Sequence, residues 1–139
     1  FVVEQVVKRQ LVTEFIEHNG TDAAMSEFVT PLADLGDKVQ KLTTEIGMKA
    51  LANPDEVGGA AVDYMRIVGH LVYAYFWAKM AKVALDHIKA DGDDVDPFYR
   101  HKLTTARFYF QRLLPETAFH IRTARSGAKN LMELPAEAF

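Results

Sequence analysis

The sequence contains no cysteine. That excludes disulfides, thiolate zinc sites and cysteine nucleophiles, and it fits a reducing compartment such as the cytoplasm. It carries no excess of one charge: 16 Lys and Arg face 19 Asp and Glu, a formal net charge of −3. The basic residues are spread along the chain, so neither a nucleic-acid footprint nor a polybasic membrane anchor is indicated. It also lacks a membrane-spanning run. Residues 67–78 (IVGHLVYAYFWA) are interrupted only by His70 and closed off by Arg66, Lys79 and Lys82, short of the roughly 18–20 apolar residues a spanning helix needs. No secretory signal is visible, and no stretch alternates as a strand would.

What is present is helical. The hydrophobic fraction of 49% over 139 residues suits one folded domain. The chain opens on Phe1 inside a helical pattern, which reads as a helical domain of residues 1–139 taken from a longer polypeptide. Turn chemistry divides it into four segments. In the first, over about residues 2–18, Val2, Val3, Val6, Val7, Leu11, Phe15 and Ile16 form a broad stripe at helical spacing. Asn19-Gly20 ends it, glycine being suited to a left-handed terminus. The second runs from Thr21 or Asp22 to Ala52. Leu32, Leu35, Val39, Leu42 and Ile46 make its seam, and Pro31 predicts a kink or break near residues 29–31. Asn53-Pro54 separates it from the third, which runs to about Ala90 with a near-heptad seam of Val62, Met65, Gly69, Val72, Phe76, Met80 and Val83. Ile67, Val68, Leu71 and Tyr75 make this helix apolar around most of its circumference, as befits the middle of a bundle or a partner contact. The fourth starts with Asp96 as N-cap and Pro97 at the first helical position. Its seam of Tyr99, Leu103, Ala106, Phe110, Leu113, Thr117, Ile121, Ala124, Ala128 and Leu131 predicts one helix kinked at Pro115 and reaching about residue 133. The expected fold is all-α, an antiparallel (up-down-up-down) four-helix bundle with long helices.

The chemistry-bearing residues are sparse. No Glu has a His three positions later, which excludes the di-iron pattern of helical bundles. Glu14/His18 and Glu116/His120 are spaced i, i+4 and read as surface pairs. His70, inside an apolar run, reads as a hydrogen-bonded core histidine rather than a ligand. The acidic turn at 90–97 lacks the order of a calcium loop. Gly58-Gly59 is followed by no phosphate-loop lysine, and Ser126-Gly127 reads as close packing late in the fourth helix. No catalytic, cofactor-binding or metal-binding residue is expected.

The aromatics are different. Residues 61–82 and 97–117 together hold the only Trp, all five Tyr and four of the nine Phe. At helical spacing such residues are usually core. Yet aromatics point to several faces at 73–77 and 108–110, more than one four-helix core readily hides. The expected docking surface is therefore Tyr73, Trp77, Tyr99, Arg107, Phe108 and Tyr109, with arginines and lysines as its rim.

Three runs carry a resemblance: D-Y-M-R at 63–66, F-Y-x-x-K-L-x-x-A-R-F-Y at 98–109, and L-L-P-E-T at 113–117. With the tail AKNLMELPAEAF they resemble the C-terminal helical domain of acyl-CoA dehydrogenases of the 3-methylmercaptopropionyl-CoA dehydrogenase-like group. The resemblance is strongest over residues 60–139 and weaker over 1–59. It implies a parent enzyme that uses FAD and a glutamate base to form the α,β double bond of an acyl-CoA. It implies an accessory, non-catalytic role for this chain, packed on the catalytic domains of the same polypeptide or on a neighbouring subunit of a homo-oligomer. The flavin-binding motifs and the catalytic Glu context are absent here, so no catalytic residue is carried over. Two other readings remain: an independent, self-associating helical interaction module, and an acyl-chain or lipid-binding bundle.

Overall fold

The computed structural model describes the backbone from Val2 to Phe139 and the side chains from Gln10 onward. Six α-helices follow in order: α1 Val2–Asn19, α2 Ser26–Ala52, α3 Asp55–Asp91, α4 Pro97–Phe108, α5 Glu116–Ala124 and the short α6 Lys129–Met132. No strand occurs among the described residues. The protein is all-α, as the sequence predicts. Val2, Val3, Val6 and Val7 of the expected first stripe lie outside the described side chains. Farther along α1, Phe15 and Ile16 lean on the core while Leu11 is exposed.

The helix ends follow local chemistry. Asp22 Oδ1 accepts the Ala24 amide at 3.0 Å and starts a 3₁₀ turn, Ala23–Met25, that leads into α2. Asp96 Oδ1 accepts the Phe98 amide at 2.8 Å, with Pro97 at the first helical position, the predicted cap of α4. Gly20 corrects the sequence reading. Its φ is not positive; glycine is needed there because a Cβ would lie 2.8 Å from the Ile16 carbonyl oxygen. Pro31 is a second correction: α2 runs through it without a break, and the interruption comes earlier, at the 3₁₀ turn. So close to the helix start, the missing N–H removes a single bond, which burial of Phe28, Val29 and Leu32 around it offsets.

The fourth segment departs most from expectation. It is not one kinked helix to residue 133. α4 ends at Phe108, a π turn spans Tyr109–Leu113, and α5 stops at Ala124. Pro115 accounts for this. It has no N–H to bond residue 111, and its ring would press on that carbonyl. The preceding turn widens by one residue, and the Leu114 amide donates to the Tyr109 carbonyl at 2.9 Å. The extra residue shifts the seam. Tyr109 and Phe110 both point inward, Leu114 takes the buried place expected for Leu113, and Leu113 turns to solvent. Beyond α5 the chain reverses at Gly127, whose φ of 80° favours glycine. Ser126-Gly127 is thus outside any helix. Ala128 then seats on Gly59, where a Cβ would come within 3.2 Å of the Ala128 Cα.

Around α3 the core is built. α3 packs along α2 on one side and along α4 and α5 on the other. α2 contributes the predicted Leu32, Leu35, Val39 and Leu42. The face that α3 turns inward is Ala60, Ile67, Ala74, Ala78, Ala81 and Ala84, none more than 2% exposed. The heptad seam expected to be core is on the opposite side: Val62, Met65, Phe76 and Val83 are 53–69% exposed. Alanines admit two helices close to α3 at once, and large side chains could not. Two bidentate pairs tie α2 to the far side: Arg107 to Glu27 at 2.8–3.0 Å, and Arg125 to Glu45 at 2.7–2.9 Å. Being surface pairs they add little stability, about 0–1 kcal/mol each, yet they hold the helices in register.

If the alanine face is the packed one, Ala74→Leu overfills it and lowers unfolding free energy by about 1–3 kcal/mol. Ala61→Leu, at an exposed position of the same helix, changes it by no more than about 0.5 kcal/mol. Urea denaturation of both variants checks the assignment, and equal effects would refute it.

Candidate functional site

Two groups of side chains meet where α3 faces α4, the π turn and α5. The first is polar. Asp63 is the only acid between Glu56 and Asp86 on α3. Its Oδ1 lies 2.7 Å from Nδ1 of His120, and Glu116 Oε1 lies 2.9 Å from Nε2 of the same ring. Two carboxylate acceptors on two ring nitrogens require two N–H donors, so the ring is an imidazolium. The Asp63 and Glu116 hydrogen bonds hold the His120 pKa above the usual histidine range, against the opposing effect of burial. The hydrogen bond from His120, assisted by His70 and Arg66, holds the Glu116 carboxyl below the usual glutamate range. His120 is 4% exposed. The expected surface pair is therefore a clamp with exposed Glu116 on one side of a buried His120, because the third partner, Asp63, is 57 residues away in sequence and invisible to an i, i+4 reading.

The cluster continues. Glu116 Oε2 is 3.6 Å from His70 Nε2. His70 Nδ1 meets the Tyr109 hydroxyl at 3.0 Å, and that hydroxyl donates to the His70 carbonyl at 3.2 Å. His70 is thus hydrogen-bonded and half-buried, as predicted. Burial pushes the Tyr109 phenol above its usual range. The π turn is what aims Tyr109 here.

The second group is aromatic. Of the expected docking residues, Trp77 and Tyr109 stack with centroids 6.0 Å apart, and Lys102 Nζ sits 5.8 Å from the Trp77 ring. Tyr99 stacks on His87 at 3.9 Å. Arg107 engages Glu27. Tyr73 and Phe108 are exposed, at 61% and 55%. Trp77 and Tyr109 thus form one stack, Tyr73 and Phe108 are outward rings, and Tyr99 and Arg107 have partners elsewhere in the chain. The sequence reading passed over Asp63 and took His120 for half of a surface pair. A lone acid on an apolar helix was the available signal for Asp63.

The cluster holds; it offers little for reaction. Both His120 nitrogens are engaged, and no group of three or more acids and histidines arranged for a metal occurs among the described residues. Nor do the residues fit a flavin. The open side of Gly59 is filled by Ala128, and the Glu56 carboxylate lies against Gly127, where an anion would be repelled. A hollow of about 470 Å³ is lined by Asp37, Gln40, Lys41, Thr44 and Glu45, with no aromatic ring. No helix among the described residues is long and apolar enough to cross a membrane.

Fold and site define an all-helical protein whose long-range polar contacts clamp helices together. Its family follows from comparison: a model of the family described as "Acetyl-CoA dehydrogenase C-terminal like" matches residues 9–135, and the chain belongs to that family. No curated protein matches it.

The clamp has a pH signature. A raised His120 pKa stabilises the fold fully below the ordinary histidine value of about 6.5, and this stabilisation is lost as pH rises through the raised value. The lowered Glu116 pKa acts oppositely: its contribution is present above the ordinary glutamate value and lost as pH falls through the lowered one. His120→Gln should cost about 1.5–3 kcal/mol near neutrality and flatten the alkaline limb of the stability profile. Melting curves of wild type and variant across pH check this; an unchanged alkaline limb would show that the ring carries no charge.

Proposed function

We propose that this chain is the accessory, non-catalytic C-terminal domain of an FAD-dependent acyl-CoA dehydrogenase, one helical domain of a longer cytoplasmic polypeptide. The parent enzyme forms the α,β double bond of an acyl-CoA thioester, and the chain packs on its catalytic body or on a neighbouring subunit. The observation that carries this reading is the family match over residues 9–135. The 3-methylmercaptopropionyl-CoA dehydrogenase-like group is the branch that the D-Y-M-R and L-L-P-E-T runs favour. The pairing of residues supports an antiparallel up-down-up-down arrangement. Along α3 and the π turn to α5, Asp63 meets His120 and His70 meets Tyr109, so one number rises as the other falls. Between α2 and α3, Thr43 meets Tyr64 across the Asn53-Pro54 turn.

In this role the histidines and Glu116 maintain the shape of the domain, while Tyr73 and Phe108 supply contact surface with Trp77, Tyr99, Arg107 and Tyr109 behind them. The acyl-chain-binding alternative gains nothing from the hollows over α2 and beside Lys82, which have charged residues in their linings, whereas an acyl chain needs an apolar one. The purified chain should show no flavin absorbance after incubation with FAD and no reduction of an electron-accepting dye with acyl-CoA. A yellow preparation that oxidises acyl-CoA would overturn the proposal.

A further inference from the structure

Among the described residues, the side of α3 opposite the alanine face has no partner. Val62, Met65, Gly69, Tyr73, Phe76 and Val83 lie along it, and the five large ones are 53–69% exposed. Half-buried Val72 and Met80 fill the spaces between them. Val62, Met65, Gly69, Val72, Phe76 and Val83 fall on the heptad spacing that keeps a seam facing another helix. No charged residue interrupts this stripe between 62 and 83. The flanking cations turn to partners within the chain: Arg66 toward Glu116 at 3.8 Å, and Lys79 over the Tyr75 ring at 5.4 Å.

The order of residues along the stripe identifies the occupant. About a centre between Val72 and Tyr73, Val62 mirrors Val83, Met65 mirrors Met80, and Gly69 mirrors Phe76. Nothing lies within 4 Å of where a Gly69 Cβ would be. A second α3 laid antiparallel across a two-fold axis brings the Phe76 ring of each copy to the level of the other's Gly69 notch. Parallel pairing would instead set ring against ring and notch against notch. A two-fold contact needs such a self-complementary surface, and a stripe without charge lets two identical copies meet without like-charge repulsion. From the exposed fractions and side-chain areas of roughly 100–250 Å², the stripe offers on the order of 500–600 Å² per copy, near the lower bound for a specific interface.

We propose that the outer stripe of α3 binds a second copy of this chain, as an antiparallel α3–α3 contact centred on Val72 and Tyr73. The proposal is independent of which enzyme body the domain serves, and its failure leaves the family-based reading intact.

The test uses the whole chain. Sedimentation should show a concentration-dependent dimer. Phe76→Glu, at an exposed position, should raise the dimer dissociation constant about thirtyfold or more with unchanged helical circular dichroism. Because the chain has no cysteine, single thiols report the geometry. Val72→Cys should form a disulfide-linked dimer on mild oxidation. Val62→Cys should not link to itself but should link to Val83→Cys when the two variants are mixed. A chain that stays monomeric at millimolar concentration, a dimer indifferent to Phe76→Glu, or efficient linking of Val62→Cys to itself each overturns the proposal. So does a monomer that binds only a catalytic body through this stripe.

Discussion

The structure depends on α3 being small where it is crowded. A helix of 37 residues is about 55 Å long, and here it must touch α2 on one flank and α4 with α5 on the other. Two neighbours can close on one helix only if the residues between them are short. Ala60, Ala74, Ala78, Ala81 and Ala84 meet that condition, with Ile67 the one large side chain at full burial among them. The bulk that fills the core comes from the neighbours instead, chiefly Met25, Phe28, Leu32 and Leu42. Once the alanines are turned inward, the helix has no choice about its other side. Val62, Met65, Phe76 and Val83 must face outward, and a helix apolar on both sides results.

That division of labour explains how far the sequence could be read. Periodicity on α2 was sufficient, because one stripe of large residues coincides with the buried face. On α3 two stripes compete, one of alanines and one of large residues. Hydrophobicity favours the large one, whereas packing distance favours the small one. Size, not polarity, decided the outcome, and recurring alanine at 60, 74, 78, 81 and 84 was the visible trace of it. In the fourth segment the expected seam is buried at Leu103, Ala106, Phe110, Thr117, Ile121, Ala124 and Ala128, whereas Leu113 gives its place to Leu114 at the π turn and Leu131 is exposed. Three consecutive aromatics at 108–110 followed by a proline at 115 contain the reason, since a π turn is the way to bring two neighbouring rings inward before a residue that cannot donate. The polar clamp was least legible. Glu116 and His120 are neighbours on a helix by spacing alone, but the burial of His120 brings in Asp63, whose approach is a product of the α3–α5 packing.

The clamp and the alanine face also support each other. Burying an imidazolium is costly unless both nitrogens are satisfied by acceptors. Asp63 and Glu116 satisfy them only because α3 and α5 approach closely. The Gly59 contact with Ala128 reinforces that approach at the same end of α3. The widened turn before Pro115 then rotates Tyr109 toward His70 while leaving Glu116 at the start of α5, where a helix N-terminus favours a carboxylate. A single backbone irregularity thus serves three side chains.

Near the α3–α5 boundary Asp63, Glu116, His120, His70 and Tyr109 are engaged with one another. Exposed large apolar residues occur on α1 through α5, and on α3 they form one stripe that includes Tyr73. A surface presented on a stiff helix loses little side-chain and backbone freedom on contact, so a modest area can suffice for association. The same alanines that close the core on one side therefore leave the large apolar residues of α3 on the other.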